Sequence, residues 1–400
     1  MEWLLTFWKW PGRKVLLAVL AYKLVSFASV FCAVELFPSF NDSQYERVIH
    51  WPREAPPSLA AYFSTWDGAH YLFLSEVGYQ KNSPSCAFYP LWPMLIRVAS
   101  HLTFHNHFLA GILLANLLSL IGIVLFHHFV TLYHGRETAN LSVVLLLAFP
   151  GALFFQFIYT EPLFFLLITL FFMFLFQKKY FWVAVVGFFL PLTKAIGIFC
   201  IFPLLWQLLF EKPLTADEKL ETSNHQPKIR HSTFDIRHWS SLLGPLLGYF
   251  CYFLFMYCAT GNPFAGFQAQ RFYPNQPSIA NIFNLPRFFQ TLFMPLELHG
   301  MTDSVIDRGL FMLLLPCLYL IFKLNRAYFA YSVPVGLVPA MSSWFFSYNR
   351  NLMMCFPLFI VLADILKDRK MRFAFWYLVL LMGTIQVWFW WRHVNFQWAG

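Results

Sequence analysis

The chain has 400 residues, of which 59% are hydrophobic and only 12% charged, with 50 Phe, 15 Trp and 18 Tyr. Soluble domains average about 45–50% apolar and about 25% charged, so no soluble fold of this length hides so much apolar surface and a polytopic membrane protein is expected. The formal net charge of +9 is read as Lys and Arg gathered in cytoplasmic loops, and nucleic acid is not expected as a partner.

In chain order, the basic residues of "MEWLLTFWKWPGRK" precede an apolar run too long for a signal-peptide core, so an uncleaved first helix is expected. A bilayer-spanning helix needs about 20 mostly apolar residues. Such runs lie near 15–37, 107–132, 139–158, 160–177, 180–195, 196–210, 241–259, 306–323, 328–346, 350–366 and 373–391. The expected fold is an all-α polytopic membrane protein with about 11 transmembrane helices, residues 1–400 forming one integral membrane domain.

With the N-terminus cytoplasmic, 17 of the 28 Lys and Arg lie inside, ten lie outside or at the outer edge, and Lys23 sits within the first span. That bias sets the orientation. Three stretches then lie outside the spans: an outer loop at 38–106, a polar cytoplasmic loop at 211–240, and a second outer loop at 260–305. The seven cysteines are scattered without a CxxC pair and read as small apolar residues of membrane helices.

The first outer loop holds "FSTWDGAHYLFLSEVGY", residues 63–79. Asp67 and His70 are three apart and share a helix face, and Trp66 suits the membrane–water interface. A plain alternative for Asp67 is an N-cap of the helix that begins there. Glu161 falls at an outer turn in "FQFIYTEPLF", Lys194 at a similar turn in "LTKAIGIF", and Arg350 at the outer start of a span in "SYNRNLMM". Charges at the hydrocarbon edge are expensive and commonly functional. Under one topology all four share one face, an arrangement suited to an anionic lipid head group and an activated hydroxyl.

The runs "TWDGAHYLFLSEVGY" and "CAFYPLWPMLIR" resemble the first luminal loop of the PIG-V family (GPI mannosyltransferase 2) and its bacterial relatives. The resemblance extends to "FPGALFFQFIYTEPLFFLL", "LTKAIG", "TGNPFAGFQAQRF" and "RNLMMCFPLFIVLADIL". The chain departs from the family pattern at Lys194, where an arginine is expected, and at Asn351, where an aromatic usually follows the arginine.

The resemblance implies a GT-C architecture. It further implies transfer of a hexose, in this family mannose, from a polyprenyl-phosphate carrier on the luminal or periplasmic side. A lipid donor needs no nucleotide-binding domain, and no Gly-rich phosphate loop occurs. The acceptor hydroxyl needs a base, for which Asp67 is the choice, with inversion by a single displacement. The leaving phosphate needs cations, for which Lys194, Arg350 and Arg271 of the second outer loop are candidates.

His70, Trp66, Glu161 and Gln270 are further site candidates, His70 orienting Asp67, contacting the donor or packing at the interface. No cofactor is expected. A divalent metal on Asp67, His70 and Glu161 is an alternative without supporting ligand spacing, and "HLTFHNHF" (His101, His105, His107) reads as an interfacial anchor.

The rival functions are a lipid-linked sugar transporter and a non-catalytic membrane subunit. A transporter favours broken helices in two matching halves, which the sequence lacks. The acceptor stays open between glycolipid, polymer and protein, and the membrane between the bacterial plasma membrane and the endoplasmic reticulum, the sequon Asn41-Asp42-Ser43 being too short to decide.

Overall fold

The computed structural model describes residues 12–36, 42–54, 58, 60–210, 236–294, 297–301 and 304–400. The cytoplasmic loop expected at 211–240 lies outside the described residues up to 235, as do Asn41 of the sequon and the N-terminal basic stretch before Gly12. Among the described residues the structure is helical, with no strand and one isolated β-bridge between Glu297 and Ser304.

The principal helices are α1 (Arg13–Leu36), α2 (Asp67–Glu76), α3 (His107–His134), α4 (Arg136–Ala148), α5 (Glu161–Phe176), α6 (Tyr180–Thr193) and α7 (Ile201–Phe210). They continue as α8 (Leu243–Thr260), α9 (Leu285–Phe293), α10 (Val305–Leu324), α11 (Arg326–Ser343), α12 (Tyr348–Met353), α13 (Pro357–Leu366) and α14 (Arg372–Val394). Among the described residues, five helical segments, at α1, α3, α8, α10 and α14, are long and apolar enough to cross a membrane, and four shorter apolar helices accompany them. Their outward Leu and Phe side chains, such as Leu24 and Phe250, remain exposed. Lipid-facing positions need no burial.

Two expected spans are broken. The run at 139–158 leaves α-helix at Ala148, where Phe149-Pro150-Gly151 intervenes and Pro150–Phe155 continues as 3₁₀-helix. The run at 350–366 is divided between α12 and α13, with Pro357 opening the latter. Apolar content alone concealed both breaks, although Pro-Gly is a strong local breaker.

The first break has a specific support. Residues 149–169 are buried without interruption, and irregular backbone at that depth must find hydrogen bonds within the protein. Lys23 reaches in from α1, its Nζ bonding Ser119 Oγ (2.8 Å), Asn116 Oδ1 (3.0 Å), Gln156 Oε1 (3.3 Å) and the Phe155 carbonyl (3.3 Å). Ser119 and Asn116 of α3 donate to the carbonyls of Phe155 and Gln156 as well. One lysine and two small polar residues thus hold the turn that leads into Glu161.

Elsewhere the helices meet by close approach and ring packing. Gly244 and Gly248 of α8 lie against α6 so tightly that a Cβ at either would strike the backbone of Ala184 or Phe188, a small-xxx-small contact suited to membranes. Phe172 of α5 packs edge-on against Phe356 at 4.9 Å and Tyr331 of α11 at 5.3 Å. Between α8 and α10, α9 is amphipathic, burying Phe288 while Phe289 and Phe293 stay exposed.

Candidate active site

Four charged side chains from four places in the sequence meet in one row. Arg350 Nη1 donates to Asp67 Oδ2 at 2.6 Å, Arg350 Nε donates to Glu161 Oε1 at 2.9 Å, and Lys194 Nζ donates to the same Oε1 at 2.8 Å. Each position follows from its local chain. Trp66, at φ 58°, turns the backbone so that Asp67 opens α2. Glu161 opens α5 with Pro162 behind it, a place where proline is tolerated and a carboxylate suits the helix dipole. Lys194 is extended between α6 and the 3₁₀ turn Ala195–Cys200. Arg350 sits in the six-residue α12, after Trp344, Phe345 and Ser347, all at positive φ. Such non-glycine conformations cost on the order of 1 kcal/mol or more each and gather where surrounding structure enforces a geometry.

The two carboxylates differ in what they can do. Glu161 is fully buried and holds both cations. Asp67 retains 18% side-chain exposure, and Arg350 engages only its Oδ2, so Oδ1 remains to meet a ligand. Buried charges need partners, and the four side chains sum to zero, which lets the row persist at an apolar edge. The Arg350 guanidinium also lies over the rings of Phe154 (4.8 Å) and Tyr159 (4.7 Å), which fix its plane.

Asp67, Lys194 and Arg350 line a largely apolar cavity of about 410 Å³, walled on its other sides by Tyr89, Tyr249, Tyr252, Gln270 and Tyr273. That volume suits a small-molecule site. Asp67 is the first residue of α2 and Trp66 occupies the N-cap position, so Asp67 is not the N-cap.

His70 ties the 38–106 stretch to the 260–305 stretch rather than bonding Asp67. Its Nδ1 pairs with Ser85 Oγ at 2.8 Å and its Nε2 with Tyr273 Oη at 3.3 Å, while its ring stacks on Phe88. Tyr273 donates its single proton to the Pro84 carbonyl, so Nε2 carries the imidazole proton and Nδ1 accepts from Ser85. Burial pushes the His70 pKa down to about 4 against the pull of Asp67, leaving the ring neutral at pH 7.

Of the other expected site residues, Gln270 lines the cavity. Trp66 packs edge-on against Trp398 at 5.2 Å, outside the lining. Arg271 lies elsewhere, over the Phe272 ring, in a separate small depression with Lys81 and Asn262. Gln270–Phe272 form a 3₁₀ turn, whose three residues per turn point adjacent side chains about 120° apart. Asp67, His70 and Glu161 form no metal-ligand set, since Arg350 stands between the carboxylates and both His70 nitrogens are engaged. Of the His101, His105, His107 trio, His107 bonds Ser75 and the other two pack edge-on.

Sequence reasoning missed the tyrosine wall. Tyr89 stacks on Tyr252 at 4.5 Å and meets the Tyr249 hydroxyl at 3.4 Å. Tyr249 and Tyr252 are three apart on α8, a shared face that spacing alone makes visible.

Residues 39–209 match the family model described as Mannosyltransferase (PIG-V). That stretch carries Asp67, Glu161 and Lys194, whereas Arg350 reaches them from outside it. No curated protein matches the chain. Over residues 39–209 the chain is thus similar to the PIG-V mannosyltransferases, and that match with the helical, apolar architecture supports a membrane glycosyltransferase.

Proposed function

We propose that the chain moves mannose from a polyprenyl-phosphate donor to an acceptor hydroxyl, with inversion, at a site facing the lumen or periplasm. The observation that carries the reading is Asp67, a carboxylate with one oxygen held by Arg350 and the other open to a mostly apolar cavity. The acceptor oxygen attacks the anomeric carbon while Asp67 Oδ1 takes its proton. The bond from that carbon to the phosphate oxygen breaks, and its electron pair leaves with the polyprenyl phosphate. Lys194, 17% exposed on the cavity wall, and Arg350 balance the charge that develops on the leaving oxygen. The tyrosine wall supplies apolar faces for the sugar and the start of the carrier.

The direct experiment incubates the purified protein with polyprenyl-phosphate mannose and a panel of glycolipid, polymer and peptide acceptors, then determines the product and its anomeric configuration. Inverted mannoside is expected; a retained configuration would overturn the single displacement. Sidedness is checked separately with cysteines placed at Ser58 and Thr222, which should label from opposite sides of the membrane with an impermeant reagent. Same-side labelling would overturn the orientation.

A further inference from the structure

Arg350 reaches between two carboxylates from α12, a helix of only six residues. A helix this short does not hold its own shape, and its first N–H groups lack intrahelical partners. One is met from outside: Asp307, on the first turn of α10, accepts the backbone N–H of Asn349 on Oδ1 at 2.8 Å. Asp307 is 1% exposed. Its Oδ2 lies 3.4 Å from His299 Nδ1, which also pairs with Ser304 Oγ at 2.9 Å. The His299 ring in turn packs on Phe389 at 4.2 Å. A Cβ on Gly151 would come within 3.0 Å of the Asn349 carbonyl oxygen and 3.6 Å of Arg350 Cα. The backbone that carries Arg350 is therefore held by Asp307 and closely approached by Gly151, neither of which lines the cavity.

We infer that Asp307 is a positioning residue for Arg350: by capping Asn349 it sets the place of α12, and so the point at which the guanidinium meets Asp67 and the donor phosphate. The inference rests on the reading of Arg350 as part of the phosphate clamp. Asp307 touches no reacting group, and its effect passes through one backbone N–H. A carboxylate held in this way is expensive to bury unless hydrogen-bonded, and its acceptor oxygen, more than its charge, is what α12 uses.

The test measures the dissociation constant of a short-chain polyprenyl phosphate for the detergent-purified full chain, beside thermal unfolding. Arg350→Gln should weaken binding roughly tenfold or more, the loss of a charge-assisted contact. Asp307→Ala should weaken it by a similar factor, Asp307→Asn, which keeps an acceptor, should bind nearly as wild type, and the Asp307→Ala/Arg350→Gln pair should bind no worse than Arg350→Gln alone. A merely structural Asp307 lowers the unfolding temperature with losses that add to those of Arg350→Gln, or leaves binding unchanged; either result overturns the inference. Should the alanine variant not fold, Asp307→Glu shifts the acceptor by one methylene with charge retained and should weaken binding several-fold, unchanged binding again overturning the inference. If Arg350→Gln itself binds like wild type, the clamp reading fails, and this inference with it, a pattern distinct from the failure of Asp307 alone.

Discussion

Lys23 and Lys194 are both lysines set among long apolar runs, yet the structure treats them oppositely. Lys23 is buried against neutral acceptors, two side-chain amides, a hydroxyl and a carbonyl, and no carboxylate is among those partners. Lys194 bonds a carboxylate, stands in a row of four charges, and shows part of its surface to a cavity. The first arrangement satisfies an irregular stretch of backbone. The second keeps opposite charges assembled where a ligand with charge of its own can enter. A buried cation therefore signals function here through its partners and its cavity, and not through burial.

Removing the centre of the charged row should have the largest effect. Glu161→Leu leaves Arg350 and Lys194 without their shared carboxylate, which for a buried pair costs about 3–5 kcal/mol. Thermal unfolding in detergent should register that loss together with loss of sugar transfer. A stable, active Glu161→Leu protein would remove the electrostatic account of the row.

Lys194→Gln tests the cavity end of the same row. Glu161 keeps Arg350 as its partner, while the donor phosphate loses a point charge, so the KM for polyprenyl-phosphate mannose should rise roughly tenfold with the protein still inserted. Unchanged donor kinetics would move Lys194 out of the site. Arg in its place is not a neutral replacement, since its planar fork differs from a point charge.

Lys23→Met tests the other side of the comparison. The Phe155 and Gln156 oxygens lose a donor, so stability should fall by about 1–3 kcal/mol, while turnover per folded molecule stays near wild type. A variant of normal stability that lost turnover would place Lys23 with the chemistry and erase the distinction drawn above.

The effect at His70 is confined to low pH. Its folded pKa of about 4 lies below the ordinary value of about 6.5. Its contribution to stability is therefore complete above pH 6.5 and lost as the pH falls toward 4, the window in which only the unfolded chain binds the proton. Unfolding temperatures measured between pH 7.5 and 4.5 should decline more steeply in wild type than in His70→Gln. Equal slopes would place the acid sensitivity elsewhere.

Much of the site was legible in the sequence because its residues are anomalies of composition. Asp67, Glu161, Lys194 and Arg350 stand out against apolar flanks, and hydropathy located most of the helices. Their pairing was not legible, since Arg350 lies 283 residues from Asp67 and no local rule links them. The buried turn after Ala148 was hidden because its side chains, Phe, Leu and Ala, are as apolar as a span. Arg271 looked equivalent to its neighbour Gln270 until the 3₁₀ turn sent the two apart. Asp307 acts through one backbone N–H, which leaves no mark in the sequence.

The central claim is that Asp67 takes the acceptor's proton, and Asp67→Asn tests it most directly. The amide keeps the shape and an oxygen for Arg350 but cannot accept a proton at neutral pH. General-base catalysis is worth about 10²–10⁴-fold, so the rate of mannose transfer measured with saturating donor should fall by that factor, the unfolding temperature remaining close to wild type. An Asp67→Asn protein that transfers mannose at the wild-type rate would contradict the account and leave Asp67 as a partner of Arg350 alone.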